Sequence, residues 1–269
     1  MSDEVLANIL KANIEYIINN IGDEYISDFN RNIISFKSRR INSNEANDLG
    51  FGIDYNMLGI YNVENNIMYL LSDNLEKIRL MHNDNNNVLS SRLILHELFH
   101  MASSKANEYS GVSNINSNNN GLNDGITDLL SFKAYPCVSL IHSGYLYELL
   151  LTIQLSLIIG SNELYDSYFK YHNINNIKSS LYRRLSNIDE TERFFILLQQ
   201  YYDNKNIEYL GELQYTLVNS VNKEFISNQF IYNYMKFMIT PELLFIRNSF
   251  DAEESKLSDS IQILSKHLN

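Results

Sequence analysis

Residues 93–104 read LILHELFHMASS, and no other stretch restricts the fold as much, because it sets two histidines four apart, with a glutamate between them, inside an apolar run. An α-helix carries residues i and i+4 on one face, so His96 and His100 project side by side from a helix whose remaining surface is mostly hydrophobic. Two imidazoles aimed at one point predict a metal. The competing reading is a helix that carries two histidines by accident and hydrogen-bonds them in a core.

The motif His96-Glu97-Leu98-Phe99-His100 is H-E-x-x-H, and its chemistry fixes its spacing. Two neutral imidazoles bind Zn²⁺ from adjacent turns, while the intervening Glu97 reaches the water on the metal as a general base. Zinc brings the pKa of that water towards ~7, and the carboxylate passes the proton on to the leaving amine as a peptide bond breaks. The chain has a single cysteine, Cys137, so neither an internal disulfide nor a Cys-rich zinc site can form, and any metal must be held by His and carboxylate.

Charge and hydropathy narrow the partners. A formal net charge of −11 over 269 residues repels nucleic acid and anionic lipid, with only a short basic stretch at 37–40 to offset it. The first residues, MSDEVLANILKANIEYI, are acidic where a secretory leader would be basic, and they read as an amphipathic surface helix. The most apolar stretch, 146–160, carries Glu148, Gln154 and Ser156 and falls short of the roughly 20 residues that span a bilayer. It reads as a buried helix. A soluble, cytoplasmic protein without a membrane span is the expectation.

Upstream of the histidines, residues 58–73 have two β-prone runs around the polar turn Glu64-Asn65-Asn66, a hairpin signal. Ser72 or Asp73 caps a short helix after it, and 82–87 read as a loop. Residues 105–121, KANEYSGVSNINSNNNG, read as a second loop, too polar to pack a core. A further helix starts near Leu122 and ends before Pro136. From Cys137 onwards the only proline is Pro241, and apolar residues recur at helical spacing, as in Phe194, Phe195, Leu197, Leu198, Tyr201 and Tyr202.

Downstream of H-E-x-x-H lies GLNDGITDLLS, residues 121–131. This pairing resembles the thermolysin-like gluzincin peptidases, in which the zinc helix is followed by a helix bearing N-E-x-x-x-[DE], often as L-N-E-G-x-T-E. The resemblance implies a zincin fold, a bound Zn²⁺ and a peptide or protein substrate. It makes Asp124 the third zinc ligand, Asp128 the carboxylate that orients His96, and Asn123 a support for the His100 ring. It also implies an extended substrate running along the edge of the small sheet, along 59–63 or 67–71, with an ordinary buried hairpin as the competing reading. Tyr145 and His142 are candidate oxyanion stabilisers, with a packed tyrosine and a surface histidine as the competing reading. The later run SGYLYELLLTIQLSLIIGSNELYDSYF extends the similarity to about 58–169.

The departure from that pattern is aspartate where the family has glutamate. One methylene less shortens the reach by about 1.5 Å, so the second helix must sit closer, or the third ligand lies elsewhere, with Glu108 as the reserve. Asp124 as a helix N-cap is the alternative role. Other zincin classes do not fit: Ser103 and Ala106 stand where a metzincin needs glycine and histidine, Cys137 lies in no deformylase motif, and the G-T-x-D of aspzincins is absent.

The expected fold is α+β and mainly helical. A zincin-like domain over 1–136, with a small sheet and the H-E-x-x-H helix, precedes an all-helical domain over 137–269. The expected function is zinc-dependent peptide hydrolysis, the alternative being a catalytically inactive zinc-binding or protein-interaction module that retains the fold.

Overall fold

The computed structural model describes residues 2–51, 58–81, 84, 86–114, 120–138, 143–204 and 206–221. They form a mainly helical α+β fold with a small mixed sheet. Helix α1 (Asp3–Asn20) opens with Ser2 accepting from the Val5 amide. It buries Leu6, Ile9, Asn13 and Ile17 along one stripe. Asn13 is polar within that stripe, yet it is satisfied: it donates to the Ser91 carbonyl at 2.8 Å and accepts from the Tyr135 hydroxyl.

After a 3₁₀ turn and α2 (Ser27–Ile33) come strand β1 (Lys37–Ile41) and α3 (Ser43–Asp48). Strands β2 (Gly59–Asn62) and β3 (Ile67–Leu71) form the expected hairpin, and Asn66 in its turn takes φ 55°. That left-handed conformation suits asparagine better than most residues. The strand order is β1-β3-β2, with β1 parallel and β2 antiparallel to β3. Strand β2 is therefore an edge. The Leu71 amide bonds the Leu58 carbonyl, and Gly59 faces Leu70 across the pair. The alternation of an antiparallel ladder then turns the amides of Gly59 and Tyr61 outward, away from β3.

Helix α4 (Ser72–Met81) leads towards α5 (Val88–Ala102), the helix of the two histidines. Asp84 satisfies the start of α5, accepting from the amides of Leu89 and Ser90 at 3.2 and 3.0 Å. Ile94, Leu95, Leu98, Phe99 and Met101 seat α5 in the core, each no more than 1% exposed. The described part of the polar stretch after it, up to Asn114, has regular structure that its composition does not predict. Strands β4 (Ser104–Lys105), β5 (Tyr109–Ser110) and β6 (Ser113–Asn114) make a second small sheet, and Val112 is fully buried beside it. Buried serine hydroxyls in this stretch find partners, as Ser103 does on the Phe99 carbonyl at 2.9 Å.

Helix α6 (Asn120–Ala134) stops ahead of Pro136, and α7 (Leu146–Ile159) is the buried apolar helix. The chain continues through α8 (Ser161–Tyr165), a π-helical turn at Asp166–Tyr171, α9 (Asn175–Arg184), α10 (Ile188–Asn204) and α11 (Ile207–Ser220). One cluster of buried apolar side chains includes residues from both sides of Pro136, from Leu6 to Val221. Among the described residues, no helix is long and apolar enough to cross a membrane.

Candidate metal centre

The i, i+4 spacing on α5 brings the Nε2 atoms of His96 and His100 to 3.1 Å from each other. Asp124, reaching across from α6, puts Oδ1 at 3.3 Å from His100 Nε2. One ligand atom from each of the three lies within 4.8 Å of the others. Donors around a tetrahedral zinc, bound at ~2.0–2.1 Å, stand about 3.3 Å apart. The donor set, two imidazoles and a carboxylate, suits that ion, and the shorter side chain of aspartate brings its carboxylate beside His100. Helix α6 starts at Asn120, so Asp124 sits a full turn inside it and is not its N-cap.

Each imidazole has an outer partner. His96 Nδ1 lies 2.7 Å from Asp128 Oδ1, so the carboxylate accepts the Nδ1 proton and leaves Nε2 a lone pair directed at the cluster. Burial by itself would lower the proton affinity of His96, but the charge of Asp128 and its hydrogen bond outweigh that and raise it. His100 is held differently. The Asn123 amide nitrogen sits 3.4 Å from His100 Nδ1, while the Asn123 oxygen accepts from the Val112 amide at 3.1 Å. With its oxygen so engaged, Asn123 presents only its NH₂ donor, and His100 Nδ1 accepts from it, which steadies the ring. Gly111 makes room for this: its φ is 56°, and a Cβ there would collide with Asn123 Oδ1.

Glu97 points from α5 towards the sheet edge. Its Oε2 accepts from the outward Tyr61 amide at 2.8 Å. Gly59 lets β2 come this near, since a Cβ there would meet Glu97 Cγ at 3.1 Å and the Tyr69 carbonyl at 3.3 Å. The Tyr145 ring stacks on His96, with centroids 5.6 Å apart and planes 8° from parallel. The negative charge of Asp124, then burial, then Glu97 push the Tyr145 phenol well above its ordinary range, so it stays a hydrogen-bond donor. Glu108 stands apart from this group, half exposed and ion-paired with Lys105. His142 lies outside the described residues.

Several participants are absent from the sequence-based expectation. Arg92, four residues before His96 on α5, is fully buried and donates to Asp128 Oδ1 at 2.9 Å. Ser143 donates to the other Asp128 oxygen. Together with His96 they hold the Asp128 carboxyl far below the usual range, against the upward pull of burial. The i−4 spacing of Arg92 is a legible signal, since it shares the histidine face. Nothing local announces Ser143 or the two glycines. Comparison of the chain with protein-family models, curated proteins and solved structures finds no match.

Proposed function

We propose that this chain is a zinc-dependent metallopeptidase of the gluzincin type, with His96, His100 and Asp124 as the metal ligands. The observation that carries this is the convergence of three donors from α5 and α6 within 4.8 Å of one another, with Glu97 next in chain to one of them and facing the sheet edge. When bound, zinc supplies a Lewis acid that makes water a usable nucleophile near neutral pH. Glu97 is the base: Tyr61 fixes one carboxylate oxygen, and the other takes a proton from water and delivers it to the leaving amine. Tyr145 donates to the carbonyl oxygen as negative charge develops there. With the Tyr61 amide taken by Glu97, the outward Gly59 amide and the outward carbonyls of Gly59 and Tyr61 are the groups of β2 that pair with an extended peptide and align its scissile bond.

The test is metal content measured beside turnover of a quenched peptide library, with and without 1,10-phenanthroline. One zinc per chain and chelator-sensitive cleavage are expected. His96→Ala should lose the metal, and affinity should fall as the pH drops below neutral and the imidazoles protonate. A full equivalent of zinc retained by His96→Ala would place the site elsewhere. Zinc without turnover would leave only a zinc-binding module.

Asp124 can be tested against Glu108 by metal titration. Asp124→Ala and Asp124→Asn should both weaken binding, because each removes a charged ligand oxygen, whereas Glu108→Ala should bind as the parent does. A larger loss from Glu108→Ala than from Asp124→Ala would move the third ligand into the loop after α5.

A further inference from the structure

We infer that Arg92 is a positioning residue for the metal centre, acting through Asp128 on both His96 and Asp124; this rests on the zinc reading above. A guanidinium with 0% exposure beside a carboxylate with 1% exposure is an unusual use of the interior. Apolar side chains of equal volume commonly serve stability as well or better. What the pair supplies is geometry.

Arg92 Nη1 donates to Asp128 Oδ1, the same oxygen that takes His96 Nδ1. It also donates to Ser131 Oγ at 3.1 Å, and its guanidinium carbon lies 4.2 Å from the centroid of the Phe132 ring. Ser131 in turn donates to the Asp128 carbonyl at 2.9 Å. One planar group rooted in α5 therefore grips three side chains of α6, Asp128, Ser131 and Phe132, within little more than one turn. With Oδ1 shared and Oδ2 bonded to Ser143, the Asp128 carboxylate cannot rotate, and the His96 ring cannot turn its Nε2 away.

The second effect is axial. Asp124 and Asp128 are one turn apart on α6, as His96 and His100 are on α5. Pinning Asp128 against Arg92 and His96 sets the height of α6 along α5, which puts Asp124 opposite His100. A short aspartate tolerates little slippage between the helices, so the register matters more here than it would with glutamate.

Cobalt(II) serves as the probe, because its visible absorption reports ligand geometry independently of turnover. Full-length Arg92→Met fills the volume without a donor, and it should bind Co²⁺ roughly 10–100-fold more weakly with an altered spectrum. Arg92→Lys keeps the charge but loses the fork, and should fall between the two. Ser131→Ala spares the ion pair and removes two hydrogen bonds, one of them from Arg92, whose loss should weaken Co²⁺ binding about fivefold. Folding is followed by circular dichroism. A purely structural role would lower the melting temperature and leave the Co²⁺ affinity and spectrum of the folded protein unchanged, and that result from Arg92→Met overturns the inference. Should Arg92→Met not fold, parental affinity and spectrum in both Arg92→Lys and Ser131→Ala overturn it. If the unsubstituted chain binds no Co²⁺ or Zn²⁺, the zinc reading itself fails, visibly in that arm alone.

Discussion

Glu97→Gln is expected to bind zinc as the parent would and to cleave peptide about 10²–10⁴-fold more slowly, the range of a lost general base. The substitution is close to isosteric and costs little helix propensity. Its amide oxygen still accepts from the Tyr61 amide, so the bond between α5 and the sheet edge survives. What disappears is the ability to take a proton. Because His96 and His100 are untouched, metal content separates this outcome from collapse of the site. Steady-state cleavage and zinc analysis on one preparation make the comparison, and undiminished turnover would sink the assigned mechanism.

Asp128→Ala has the largest expected effect on stability. It strips the carboxylate from Arg92, whose side chain has no exposure to water, and leaves a buried cation. Breaking such a pair from one side costs about 3–5 kcal/mol. Urea unfolding at neutral pH, with chelator present to remove metal linkage, measures it. Pairing Asp128→Leu with Arg92→Met should recover most of the loss, since neither half of this ion pair is then left in the core. A single substitution that unfolds like the parent would mean that Arg92 finds another anion.

The same pair sets a pH dependence with a defined sign. The Asp128 carboxyl lies far below its ordinary range in the folded chain, so the unfolded chain binds the proton more readily. Its contribution is complete above the unfolded value, ~3.9, and is lost as the pH falls below that point. The stabilities of the parent and of Asp128→Ala should therefore converge in acid.

What the sequence disclosed follows from what is local. The α5 face, the β2–β3 hairpin and the α6 face are each written within a dozen or so residues, as helical spacing or alternation around a turn. The meeting of Asp128 with His96 and of Asp124 with His100 was legible only through a family pattern, since the elements involved are distant in the chain. Arg92 can be placed on the histidine face by its i−4 spacing, but only the packing of α6 supplies its partner. The small strands between Ser104 and Asn114 carry no strand signal because their composition is that of a loop. They hold together by buried serine bonds and by the Gly111 approach to Asn123, neither of which has a periodicity to detect.

The bond between Tyr61 and Glu97 has a consequence for how the protein keeps to itself. An unpaired strand edge is a template on which other chains can stack, and most sheets blunt theirs with lysine, proline or a bulge. Here an outward amide of β2 is occupied by the chain's own acid, so the group proposed to perform catalysis also guards the sheet against self-association. An inactive form made by truncating Glu97 to alanine would expose that amide. The glutamine form keeps it covered, and is the better choice for holding a substrate without inviting a second copy of the chain to take its place.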